Sequence, residues 1–114
     1  MPQDDALNAR MRAALAAHAG ISEKSMMGGR CFFLNGNMLG GARRHKDGIS
    51  RFTFRVGKDN EAHALADPKA QPVVHGGRKL GGFIHVAADD CDEAALQQWL
   101  TRCLDHAVTL PAKA

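Results

Sequence analysis

The stretch KSMMGGRCFFLNGNMLGG, residues 24–41, decides the fold class of this chain. Large apolar residues run from Met26 to Leu34, and Asn35-Gly36 follows, the dipeptide most typical of a two-residue hairpin turn. The segment from Met38 to Ala42 supplies the returning strand. The stretch therefore predicts a β-hairpin, although its glycine pairs and Cys31 also raise the alternatives of a phosphate loop or a reactive thiol.

The two glycine pairs, at 28–29 and 40–41, have a structural explanation within this hairpin. Counting back from the turn brings Gly28 or Gly29 close to Gly41 or Arg43 on the returning strand. Glycine within strands permits a bulge or a close backbone approach. We expect the glycines to form a thin patch on the sheet, on which a helix could rest.

The remaining chain alternates between strand and helix patterns. In RFTFRVG, residues 51–57, Phe52, Phe54 and Val56 share one face, which predicts an antiparallel strand buried on one side. Helices are predicted from 5 to 18, within KDNEAHALADP (58–68), and after Asp90 or Asp92 as far as Ala107. The segment QPVVHGGRKLGGFIHV (71–86) predicts a brief extended piece, a basic loop and a strand over 82–86. The fold class is α+β: an antiparallel sheet of four to five strands with helices packed on one face.

Length and composition indicate one domain, residues 1–114, in a reducing compartment. The N-terminus carries two acids and no apolar core, and no apolar run is long enough to span a bilayer, so we expect no signal peptide and no membrane contact. Three widely spaced cysteines argue against a disulfide framework. A cytoplasmic location with free thiols is expected, and the net charge of +3 is only mildly basic.

Catalytic, metal and cofactor sites find little support. GGRKLGG, residues 76–82, lacks the order of a phosphate-binding loop. Cys31 lies among apolar residues that raise a thiol pKa, Cys103 lies in the apolar stripe of the last helix, and Cys91, the most exposed of the three by pattern, sits between two aspartates. The six histidines and three cysteines show no local ligand spacing. We expect no enzyme activity, no catalytic residue, no metal and no cofactor.

Basic residues carry the remaining signal. The loop RRHKDG (43–48), the polar face of the 51–55 strand and the 76–82 loop together offer a candidate partner or anion surface. Its members are Arg43, Arg44, Lys46, Arg51, Arg55, Arg78 and Lys79. The simpler interpretation, which we favour, is a solvated sheet face. Because strand acids are lacking there, two copies of this face would repel, so we expect an anionic partner on it and any homodimer through a sheet edge or a helix.

Six segments, taken in order, resemble the TfoX N-terminal-domain family over about residues 20–113. They are KSMMGG (24–29), FFLNGNM (32–38), FRV (54–56), GFIHV (82–86), LQQWL (96–100) and LPAK (110–113). Met27 stands where the family pattern usually has an aromatic residue.

The resemblance implies a small α+β domain without a known active site, found alone or ahead of a second domain in proteins that regulate competence for DNA uptake. The chain ends shortly after Pro111, so we expect no second domain here. The expected function is that of a non-enzymatic regulatory or protein-interaction domain. The alternatives are a nucleic-acid-binding protein that uses a basic sheet face and, more distantly, a small-ligand or thiol enzyme.

Overall fold

The computed structural model describes residues 4–26 and 28–113, in which six antiparallel strands form one sheet with three α-helices. Met27, part of the resemblance above, lies outside the described residues. The spatial order of the strands is β1-β2-β3-β4-β6-β5. This confirms the α+β class, with one strand more than the upper expected number. The elements are α1 Asp5–Ala14, β1 Ile21–Met26, β2 Gly29–Leu34, β3 Asn37–Arg44, β4 Ser50–Arg55, α2 Glu61–Leu65, β5 Gln71–His75, β6 Arg78–Ala87 and α3 Glu93–Ala107.

The Asn35-Gly36 turn joins β2 to β3 as predicted. Both residues adopt positive φ, 50° and 83°, as a type I′ hairpin turn requires. The C-terminal segment crosses this turn: the Lys113 amide donates to the Asn35 carbonyl at 2.8 Å, and the Asn37 side-chain amide donates to the Pro111 carbonyl at 2.9 Å. The turn therefore anchors the end of the chain as well as the hairpin.

Strand β1 was not predicted. Met26 belongs to it rather than to β2, which begins at Gly29. The sequence ISEKSM lacks apolar alternation, and the strand is held at the sheet edge by its backbone ladder and by Glu23. This carboxylate accepts two hydrogen bonds from Arg12 of α1, at 2.6 and 2.7 Å, and one from Arg30 at 2.8 Å. The two arginines lower the pKa of Glu23 to about 2 despite partial burial.

The core lies between one face of the sheet and the helices. Phe52 and Phe54 are fully buried, and Phe54 stacks on Trp99 of α3 with ring centroids 5.7 Å apart. Asp92 caps α3 by accepting from the Ala95 amide at 2.8 Å. The alternation of β4 and the apolar stripe of α3 thus meet as the sequence predicts.

Three predicted boundaries are wrong. Helix α1 ends at Ala14 rather than at residue 18, and its capping residue Leu15 still packs in the core. The predicted loops around residues 43 and 78 contribute strand instead: β3 continues to Arg44, and β6 begins at Arg78 directly after a Gly76-Gly77 turn. GGRKLGG therefore forms the turn of a β-hairpin and the first half of β6, since backbone pairing with β5 extends that strand.

Candidate binding groove on the open face of the sheet

The sheet face opposite the helices forms a groove with a cavity of about 500 Å³. Its floor is one row of paired residues across four strands: Cys31 of β2, Gly41 of β3, Thr53 of β4 and His85 of β6. These residues alternate with buried neighbours such as Phe54, so they point away from the core. We refer to this cavity as the open-face groove.

The glycines of the opening stretch shape this groove. A Cβ on Gly29 would lie 2.6 Å from the Ala42 carbonyl oxygen, and one on Gly41 would strike the Arg30 carbonyl. Gly29 lies beside Arg43, as predicted. However, no helix in the described residues rests on this patch, because Gly29 and Gly41 both line the groove. Because these glycines have no side chains, the groove is deeper at this point.

A β-bulge supplies one wall. The β2–β3 register shifts between Phe32 and Phe33, whose partners are Gly40 and Met38, so Leu39 is the additional residue. Leu39 enters the core and is fully buried, whereas Met38 lines the groove. Met38 and Gly41 are three residues apart, so regular alternation would place them on opposite faces, and the bulge brings both to the groove.

The β5–β6 hairpin supplies the other wall. Leu80 and Phe83 both line the groove although they are three residues apart, which regular strand alternation does not allow. Gly82 between them has a φ of 85° and breaks the alternation. Val73 of β5 completes this wall. The groove is therefore apolar over most of its length.

One end of the groove is polar and charged. Arg51 donates to both carboxylate oxygens of Asp47, at 3.2 and 2.8 Å, and its Nη1 lies 2.6 Å from Nδ1 of His45. This ion pair lowers the pKa of Asp47 to about 2. The strands supply no acid to this face, as expected, but the loop between β3 and β4 supplies Asp47. His45 and His85 lie in ring contact, 5.5 Å between centroids.

Both histidines at this end are disfavoured as cations. Burial, and then the positive charges of Arg51, His45 and Arg43, lower the pKa of His85 to about 4, against a weaker opposing effect of Asp47. Burial and the same two arginines lower the pKa of His45. At neutral pH the two imidazoles are therefore uncharged.

The other predicted cations are dispersed. Arg44 lies near Asp4, at the start of α1, whose pKa is lowered chiefly by the hydrogen bond from Ser50 and more weakly by the charge of Arg44. Lys46 is exposed in the loop after β3, and Arg78 is exposed at the β5–β6 turn. The ammonium of Lys79 pairs with Glu61, whose other carboxylate oxygen accepts from the Gly82 amide at 2.6 Å. Arg43, Arg51 and Arg55 lie on the open face of β3 and β4, and Arg78 is paired with His75, which lines the groove.

The thiols do not form a catalytic group. Cys31 lies in the groove floor, about 14 Å from His85 when three strand spacings are counted, and burial raises its pKa. Cys91 was predicted to be the most exposed thiol; it is 1% exposed, and burial raises its pKa to about 11. Burial also raises the pKa of Cys103. None of the three carries a base that would generate a thiolate.

Metal-binding clusters and membrane-spanning helices are absent from residues 4–26 and 28–113. In that part of the chain, no cluster of three or more His, Cys, Asp or Glu side chains could hold a metal ion. No helix among the same residues is long and apolar enough to cross a bilayer.

A family model for the TfoX N-terminal domain matches residues 13–107, most of the chain. The chain belongs to the TfoX N-terminal domain family. The match agrees with the resemblance found over about residues 20–113. Neither the curated proteins nor the solved structures contain a match to this TfoX N-terminal domain.

The groove of this TfoX N-terminal domain was missed at the sequence level. One signal was present: β2 and β6 place apolar residues on both faces, with Phe33 and Phe83 half-buried beside fully buried Phe32 and Ile84. A strand that is solvated on one face rarely carries apolar residues on both faces. The pattern indicates that the open face is itself partly apolar.

Proposed function

We propose that this TfoX N-terminal domain is a non-enzymatic, cytoplasmic regulatory domain that binds a protein partner on its open sheet face. The observation that carries the proposal is the charge of that face. The described strands direct Lys24, Arg43, Arg51 and Arg55 to it and no acid, while Glu23, the single acid within these strands, faces α1.

The partner should present acidic side chains around an apolar one. Lys24 is paired in register with Cys31, and Arg55 with Phe83, so the two cations flank the groove on different sides. Neither forms an ion pair with a described residue. Charge complementarity of this kind selects partners and speeds association.

The distribution of charge favours a protein over a nucleic acid. Binding along a phosphate backbone needs a continuous basic surface, because affinity comes largely from phosphate contacts. Here Arg51 and Lys79 are neutralised by Asp47 and Glu61, and the remaining predicted cations are spread over several surfaces. Regulation of competence, the process implied by the family resemblance, is the biological role we propose for the partner complex.

The test compares two double variants that make the same change in charge. Lys24→Glu with Arg55→Glu reverses the open face, whereas Arg44→Glu with Lys69→Glu reverses exposed cations elsewhere. A partner captured from the native cell is identified and purified, and its dissociation constant is then measured with each variant. We expect binding to weaken by at least about tenfold for the first variant and to stay unchanged for the second. Equal losses, or full binding by the open-face variant, would contradict the proposal.

A further inference from the structure

Arg43 is an unpartnered cation at the wall of an apolar cavity. Its side chain is half-buried, lines the open-face groove and forms no hydrogen bond or ion pair with a described residue. It lies directly opposite Arg51 on the neighbouring strand. A guanidinium presents a planar set of N–H donors that matches a carboxylate, and such a group is seldom left unpaired beside apolar surface.

The residues around Arg43 determine the net charge at this end of the groove. Asp47 is held by Arg51 and neutralises it, which leaves the charge of Arg43 uncompensated. The guanidinium of Arg51 can only donate, so Nδ1 of His45 must accept, and the proton of this neutral imidazole is on Nε2. The end of the groove therefore carries one free positive charge and an additional N–H donor.

The remainder of the groove suits an apolar chain. Met38, Leu80 and Phe83 line it, and its volume of about 500 Å³ lies in the range of small-molecule sites. Among the described residues that line the cavity, Arg43 is the cation without an ion pair; its single charge matches that of a carboxylate, whereas a phosphate monoester brings nearly two negative charges at neutral pH.

We propose that the open-face groove binds a small amphipathic monocarboxylate, with the carboxylate on Arg43 and Nε2 of His45 and the apolar chain along Met38, Leu80 and Phe83. This goes beyond the proposed function, since it makes the domain a receptor for a metabolite-sized effector. Binding of such a ligand requires no partner protein, so the two proposals fail separately.

Octanoate is the probe, and binding is followed by amide chemical shifts of the ¹⁵N-labelled chain at neutral pH, below the micelle concentration. We expect saturable shifts at Gly41, Thr53 and His85 of the groove floor, and none at the indole of Trp99 on the opposite side of the sheet. Hexanoate should bind about fifteenfold more weakly, because each methylene contributes about a factor of four. Octan-1-ol, which lacks the charge, should bind at least about tenfold more weakly than octanoate.

Arg43→Gln is the decisive variant, and Arg44→Gln is its matched control. The two residues are adjacent on β3, but Arg44 points to the other side of the sheet, near Asp4. We expect Arg43→Gln to weaken octanoate binding about tenfold or more, and Arg44→Gln to leave it unchanged. The proposal would be overturned by equal effects of the two variants, by shifts that do not saturate, or by octanol binding as tightly as octanoate. The last two tests use the wild-type chain, so they do not depend on how a variant folds.

Discussion

Replacing a phenylalanine by leucine should cost more unfolding free energy on the buried face of the sheet than on its open face. Phe54 is fully buried between Phe52 and Trp99, with ring centroids 5.9 and 5.7 Å away. Phe54→Leu removes buried apolar surface worth about 1 kcal/mol and ring contacts worth about another 1 kcal/mol. Phe83 is half-buried on the open face and has no ring contact with a described residue, so Phe83→Leu should cost about 0.5 kcal/mol or less.

Urea unfolding followed by fluorescence measures both variants, because Trp99 is the single tryptophan and stacks on Phe54. With a slope of about 1.5 kcal/mol per molar urea, Phe54→Leu should lower the midpoint by about 1.3 M and Phe83→Leu by about 0.3 M or less. Circular dichroism provides a second probe, in case the substitution itself changes the fluorescence of Trp99. Equal shifts for the two variants, or a loss below about 0.5 kcal/mol for Phe54→Leu, would refute the assignment of the buried and open faces.

Two further outcomes are expected. Gly29→Val should lower the free energy of unfolding by about 2 kcal/mol, because its Cβ would meet the Ala42 carbonyl. Gly81→Val is the control, since the added Cβ would meet only the flexible Lys58 side chain. An unchanged melting temperature for Gly29→Val would contradict this prediction. His85 should titrate near pH 4 by NMR, well below the value of about 6.5 in the unfolded chain. The contribution of its neutral form to stability is therefore present above about pH 6.5 and is lost as the pH falls towards 4. A titration midpoint above pH 6 would argue against the burial of His85 beside Arg51 and Arg43.

Elements defined by neighbouring residues were predictable. The Asn35-Gly36 turn, the alternation of β4 and the apolar stripe of α3 all depend on contacts within a few positions of the chain. Their spacing indicates which side chains are buried, whatever they pack against. The α+β class follows from signals of this kind.

Strand segments that lack an apolar pattern of their own were not predictable. Strand β1 has no apolar pattern and exists because its backbone pairs with β2 and because Arg12 and Arg30 hold Glu23. The first half of β6 was interpreted as a loop, since GGRKLGG contains breakers that become a hairpin turn only when β5 lies alongside. In both cases the strand is stabilised by backbone pairing with its neighbouring strand along the chain, and such pairing leaves no pattern in the side chains.

The sequence by itself determined the hairpin, the buried face and the fold class, because turn chemistry and hydrophobic period are properties of consecutive residues. Only the tertiary structure decided which cations act together. In the folded chain Arg51 pairs with Asp47 and Lys79 pairs with Glu61, whereas Arg43 at the end of the groove has no ion pair with a described residue. The physical reason is that an ion pair depends on side-chain distances of a few ångströms, which are set by the strand register, the bulge at Leu39 and the break at Gly82.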